Sequence, residues 1–167
     1  DLVRGNRNRR HRGGSGDDVI DAGSENDTVY GDEGNDLILG QSGIDTLSGG
    51  FGHDEIYGGL GADLIEGESG NDLIYGEAGN DTINGGDGND RIAGGGKALN
   101  TDAFGADILN GGAGADIIMG DDGIYGSVIL VGGSGNDVIS GGADDDEIYG
   151  QGGDDIIFSG GGNDVVN

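Results

Sequence analysis

The chain has 167 residues, 43 of them Gly, with no Pro, Cys or Trp, and its 33 acidic residues against 7 Lys plus Arg give a formal net charge of -26. Such a sequence holds no disulfide frame and no thiolate metal site, and its longest apolar run, Val128 to Val131, falls far short of the ~20 residues a membrane span needs. So much Gly carries an ordering entropy that a conventional core does not offset, and so much negative charge repels nucleic-acid phosphates and anionic lipid while attracting multivalent cations.

Residues 1–12 contain five of the seven basic residues, Arg4, Arg7, Arg9, Arg10 and Arg12. They read as a basic linker or an electrostatic cap, the linker being the plainer reading; the remainder carries 32 acids against Arg91 and Lys97. From Gly13 to Ala93 the sequence divides into nine uninterrupted nonapeptides: GGSGDDVID, AGSENDTVY, GDEGNDLIL, GQSGIDTLS, GGFGHDEIY, GGLGADLIE, GESGNDLIY, GEAGNDTIN and GGDGNDRIA. Residues 94–131 form an irregular stretch. Its first unit is interrupted by an insertion at 96–103, the unit GGAGADIIM is regular, and the unit from Gly120 to Val131 carries a short insertion at 124–126. Four further units, GGSGNDVIS, GGADDDEIY, GQGGDDIIF and SGGGNDVVN, fill residues 132–167. Of these sixteen units, fifteen have Asp at the sixth place, Val128 being the exception, and all sixteen have a branched aliphatic residue at the eighth. A chain that was merely rich in Gly and Asp would not keep two positions in phase over this length, so a disordered acidic tract is set aside.

The first six places of each unit are dominated by Gly, Asp, Asn and Ser, which make tight turns and tolerate positive φ, and the last three by Val, Ile, Leu and Thr. Each unit is therefore expected to be a turn followed by a short strand. With the eighth place (Ile20, Val29, Ile38 and onwards) facing inward, the seventh and ninth face outward, which suits Thr28, Glu55, Glu66, Arg91 and Glu147, although Leu37, Leu64 and Leu73 share that face. One inward aliphatic per unit makes a core only if two units face each other and stack on the next pair. The expected fold is all-β: a single-domain parallel coil, two nonapeptides per turn and about eight turns, roughly 40 Å long at the ~4.8 Å strand spacing.

Such stacking aligns the sixth places in two columns. One is Asp18, Asp36, Asp54, Asp72, Asp90, Asp116, Asp137 and Asp155; the other is Asp27, Asp45, Asp63, Asp81, Asp107, the gap at Val128, Asp146 and Asp164. Carboxylates one strand apart repel by about 1 kcal/mol per pair in water-like surroundings and more at lower dielectric. A hard cation midway sits ~2.4 Å from each, inside the calcium range of ~2.3–2.6 Å and too far for magnesium at ~2.0–2.1 Å. Gly-rich turns without side chains are free to aim backbone carbonyls at the ion and supply the remaining ligands. Seven intervals in the first column and five intact ones in the second lead us to expect about a dozen Ca2+ ions, with a weakened stretch at Val128. Glu25 and Asp144 replace the fourth-place Gly, and their turns are expected to be distorted.

The recurring G-G-x-G-x-D-x-U-x is the known calcium-binding nonapeptide of parallel β-helices. Over residues 13–167 the chain resembles the RTX (repeats-in-toxin), or haemolysin-type, calcium-binding repeat family. The resemblance implies a right-handed parallel β-roll, with each ion held by the carbonyls of the first and third places of one loop, those of the second and fourth places of the next loop on that side, and both aspartates. It further implies export by type I secretion machinery and folding outside the cell. The expectation is thus a non-catalytic, extracellular, calcium-binding module of a larger secreted bacterial protein. An extended adhesion or surface-layer spacer, and the C-terminal folding and secretion module of a secreted hydrolase or toxin, are the alternatives. Protein or glycan partners are not specified by the repeat.

Other features point to no chemistry. His11 and His53 do not have zinc-site spacing and HExxH is absent, His53 being expected simply to be exposed at a variable fifth place. GGGK at Gly94–Lys97 lacks the rest of a phosphate loop, and Asp and Glu pairs at glycosidase-like separations are unavoidable in a lattice of carboxylates. Tyr30, Tyr57, Tyr75, Tyr149 and Phe158 share the outward ninth place, so Tyr57 and Tyr75, eighteen residues apart, are expected to stack.

Overall fold

Turn-forming and strand-forming residues alternating every nine positions leave the chain one way to pair its backbone, by returning each strand beside the one two units earlier. The computed structural model describes residues 2–4, 10–95, 107–120, 128–143 and 145–167, and among them there is no helix, only two nine-stranded parallel sheets. The first sheet holds, in order, β1 (Leu2–Arg4), β3 (Val19–Asp21), β5 (Leu37–Ser42), β7 (Glu55–Leu60), β9 (Leu73–Ala78), β11 (Arg91–Ala93), β13 (Ile117–Met119), β15 (Val138–Ser140) and β17 (Ile156–Phe158). The second holds β2 (Arg10–Ser15), β4 (Thr28–Glu33), β6 (Thr46–Phe51), β8 (Leu64–Ser69), β10 (Thr82–Asp87), β12 (Ile108–Ala113), β14 (Ile129–Ser134), β16 (Glu147–Gly152) and β18 (Val165–Val166). Successive strands alternate between the sheets, so two units make one turn of a coil of about eight turns, a parallel β-roll.

Like places pair with like. Ile38 lies opposite Ile56 and Ile56 opposite Ile74, and the register survives the longer units, Ile83 meeting Leu109 and Leu109 meeting Leu130. The insertions at 96–103 and 124–126, and Asp144, lie outside the described residues. Pairing begins before the first motif-bearing unit: Val3 lies opposite Ile20 and His11 opposite Val29. The first of these pairs is seventeen residues apart and the second eighteen, so backbone pairing tolerates a change of spacing and needs neither the Gly nor the Asp of the motif.

Many strands are longer than the three residues expected. β5 and β8, for example, run six residues, from the seventh place of one unit to the third of the next. Among the described residues, those with positive φ all fall at the second and fourth places. A second-place residue bends the chain without ending the ladder, as Gln41 opposite Gly59 shows, whereas the fourth-place turn ends it. At the fourth place of the unit beginning Ala22, Glu25 adopts φ 86°. β3 ends at Asp21, with a lone bridge from Ser24 to Ser42 beyond it.

The core is a single file of eighth-place side chains from each sheet. Ile20, Val29, Ile38, Leu47, Ile56, Ile65, Ile74, Ile83, Ile92, Leu109, Ile118, Leu130, Ile139 and Ile148 are all at most 1% exposed. Inward packing lapses at the last two units, where Ile157 is only partly buried and Val166 is 49% exposed, because β17 and β18 are edge strands with a neighbour on one side. Seventh- and ninth-place residues face outward, except that Ser48 is buried and its hydroxyl donates to Glu68. The Tyr57 and Tyr75 rings stack as expected, 5.2 Å apart and 14° from parallel.

Truncating a buried aliphatic in so thin a core removes contacts that no neighbour can replace. In saturating calcium, Ile74→Ala is expected to lower stability by ~2–5 kcal/mol in urea denaturation, against less than about 1 kcal/mol for the outward Leu64→Ala. Equal losses for the two would contradict the inward and outward assignment.

Candidate metal centre

At the end of each turn the sixth-place residue enters the strand, and the stacking of turns brings sixth places together along each edge of the coil. Thirteen of the fifteen sixth-place aspartates, Asp18, Asp27, Asp36, Asp45, Asp54, Asp63, Asp72, Asp81, Asp90, Asp107, Asp116, Asp137 and Asp146, are buried; Asp155 and Asp164, on the last rungs, are half-buried. In the first column each N–H from Asp18 to Asp137 donates to Oδ1 of the aspartate one rung later, in an unbroken series of 2.8–3.0 Å bonds ending at Asp155. The second column makes the same bond from Asp27 through Asp45, Asp63 and Asp81 to Asp107, and again from Asp146 to Asp164. The aspartate carbonyls are used too, Asp18 O accepting from Leu37 N–H and Asp36 O from Glu55 N–H.

This arrangement spends one carboxylate oxygen and strands the other. Oδ2 of Asp36, Asp45, Asp54, Asp63, Asp72, Asp90, Asp107, Asp116 and Asp137 is buried without a hydrogen-bond partner. A buried carboxylate oxygen left this way costs several kcal/mol unless a proton or a cation meets it. Burial accordingly raises the carboxyls of Asp45, Asp54, Asp107 and Asp116 to about 6 and that of Asp72 to about 7, with the backbone N–H bond opposing the shift. Neighbouring aspartates of the same column push four of these five, all but Asp107, further up.

The stranded oxygens share their space with main-chain oxygens. A Cβ placed on Gly58 would lie 2.5 Å from Gly76 O and 2.7 Å from Asp63 Oδ2, and one on Gly132 would lie 2.5 Å from Asp137 Oδ2 and 2.7 Å from Gly150 O. First-place Gly is required there because a side chain would fill the cradle between carboxylate and carbonyl. Fourth-place Gly61, at φ 137°, is required for a second reason: its Cβ would overlap the Gly43 carbonyl of the rung before. Among the described residues no three His, Cys, Asp or Glu side chains converge on one point. A metal here would depend on carboxylate oxygens supplemented by backbone carbonyls, an all-oxygen donor set that suits a hard, large cation.

Three features of these edges were not foreseen from the sequence. Fifth-place residues form a second, exposed ladder running the opposite way: His53 N–H donates to Asn35 Oδ1, Asn71 N–H to His53 Nδ1, and Asn89 N–H to Asn71 Oδ1. His53 is exposed as expected, yet it takes the place of an Asn link. On the first rung His11 occupies a core position, 5% exposed, with Nε2 3.6 Å from Asp27 Oδ1. Beside it, Arg12 pairs with Asp32 at 3.2 Å, and the Arg10 and Arg12 guanidinium groups lie over the Tyr30 ring. Counting back nine residues from Ile20 puts His11 at an eighth place, the signal that could have revealed it.

The family model of the RTX calcium-binding nonapeptide repeat, in four copies, matches residues 12–47, 39–74, 66–96, 103–125 and 131–166. The matches thus cover most of the chain and lapse at 97–102 and at 126–130, the latter stretch containing Val128. No curated protein matches the chain.

Because the buried carboxyls hold protons more tightly in the metal-free coil than in the unfolded chain, their contribution to stability is complete below about pH 4 and is lost as pH rises toward 6 to 7. In chelator, the far-ultraviolet β-signal is expected to be strongest near pH 4 and to decline toward neutrality. A signal that instead grows between those limits would contradict the burial of the carboxylate columns.

Proposed function

Because this chain belongs to the RTX calcium-binding nonapeptide repeat family, we propose that its calcium-binding β-roll is the folding module of a secreted bacterial protein, assembled only when it meets external Ca2+. The single observation that carries this reading is the row of buried Oδ2 atoms without a hydrogen-bond partner beside carbonyl-lined Gly cradles. The proposed ligands are Asp18, Asp27, Asp36, Asp45, Asp54, Asp63, Asp72, Asp81, Asp90, Asp107, Asp116, Asp137, Asp146, Asp155 and Asp164, with carbonyls of the first four places of each unit. Bound calcium neutralises the carboxylates and ties successive turns together; the chain's own part is to present the oxygens and to keep water out.

Ions that bind only the folded coil add RT ln(1 + [L]/Kd) per site, so many weak sites convert a chain with little core of its own into a stable rod over a narrow concentration range. At the near-neutral pH and low calcium of a cytosol the carboxylates lose their protons and find no metal, which favours an expanded chain suited to export. Kinship with the RTX repeat family supports type I secretion machinery as the route. The module itself performs no reaction: its titratable groups form a lattice, and the repeat contains no nucleophile and base constellation.

Circular dichroism of the chelated chain at neutral pH, titrated with calcium and separately with magnesium, tests this reading. A weak β-signal without metal, a cooperative rise with calcium and none with magnesium, and uptake of about a dozen ions by calorimetry are expected, two carboxylates serving each ion. Full β-structure in chelator at neutral pH, or an equal response to magnesium, would overturn it.

A further inference from the structure

On the premise that the aspartate columns hold calcium, we infer that Val128 forms a metal-free rung dividing the second column, so that the coil loads calcium as two blocks joined through the first column. Val128 is buried at a sixth place, and its N–H still donates to Asp146 Oδ1 at 3.1 Å, so the backbone step there is intact. What it lacks is the carboxylate that, at every other described step, accepts the N–H of the preceding aspartate, in this case Asp107. A Cβ on Gly120 would lie 2.8 Å from Val128 Cγ2 and against the Gly141 carbonyl. At Gly58 and Gly132 the corresponding space is flanked by a carbonyl and by an aspartate Oδ2. A valine methyl therefore stands where other rungs present an oxygen, and a methyl group ligates no cation.

The loss is confined to one edge. Two steps of the second column, Asp107 to Val128 and Val128 to Asp146, have only one carboxylate each, while directly across the coil Asp116 N–H donates to Asp137 Oδ1 at 2.9 Å and the first column continues. The sixth-place residues of both lengthened units, Asp107 and Val128, belong to this same column. Beyond the gap the second column retains a single two-carboxylate step, Asp146 to Asp164. Before it there are four, from Asp27 to Asp107. The block from Gly132 to Asn167 is thus held by fewer ions per strand, and falling calcium releases it first.

Hydrogen exchange read by mass spectrometry at stepwise lower free calcium is the test, together with calorimetric stoichiometry. In the wild-type chain, peptides within 132–167 are expected to lose protection at a higher free calcium than peptides within 28–93. Val128→Asp should take up two more ions and merge the two losses into one. Asp63→Val, which moves the same interruption into the long block, should release two ions and open a new early loss around that rung, and it keeps the idea open to refutation should Val128→Asp fold poorly. A wild-type chain that binds calcium but loses protection in a single step, or a folded Val128→Asp with unchanged stoichiometry, would overturn the divided column alone. A wild-type chain that binds no calcium would instead remove the premise.

Discussion

The structure turns on a carboxylate with one oxygen fixed and the other left dry. Asp36, Asp45, Asp54, Asp63, Asp72, Asp90, Asp107, Asp116 and Asp137 each accept a backbone N–H at Oδ1, which anchors the side chain against rotation, and thereby point Oδ2 into a space from which hydrogen-bond donors are missing. Water cannot relieve it and the core cannot tolerate it, so a proton or a metal must. The glycines, the two parallel sheets and the alternation of turn and strand all serve to build this same arrangement again at the next rung. The hydrophobic file is real but thin, one side chain per nine residues, and it orders a chain in which a quarter of the residues are Gly. Burial of apolar surface sets which way the strands face, while the carboxylate columns add buried charge that calls for protons or cations.

The two ladders at each edge tolerate change differently, and exposure explains the difference. The fifth-place ladder is open to solvent, and its places accept residues as different as Asn71, His53, Ile44 and Ala62. The sixth-place ladder is closed, and the one departure from Asp is a residue of similar breadth that brings methyl groups and no charge. A buried polar substitute without a partner would be penalised there, whereas valine fills the place and leaves the backbone step intact. The opposed directions of the ladders, one accepting from the rung before and the other from the rung after, pin each turn from both sides.

Much of this was legible because the period reports geometry directly. Asp every nine residues, with an aliphatic residue two places on, specifies two columns, two sheets and an inward file, and Ile38, Ile56 and Ile74 lie where that pattern puts them. Three things were hidden. The strands' extension over the first three places was masked by Gly, whose presence suggests a turn although a first-place Gly here lies within a strand. The incorporation of Arg10 to Arg12 into the coil was masked by their charge, which obscured a register that only counting recovers. The split role of the carboxylate oxygens follows from atomic packing between rungs, about which a one-dimensional pattern says nothing.

The register holds whether eighteen, 26 or 21 residues separate one sixth place from the next. The coil therefore counts strands and ignores what passes between them at its edges. Duplication of any eighteen-residue stretch would lengthen the rod by one strand spacing without disturbing a single existing neighbour, and a foreign segment spliced into an edge turn would be carried outside the lattice. Reach and decoration can consequently evolve separately from the fold, which makes the rod a scaffold whose length is written in copy number.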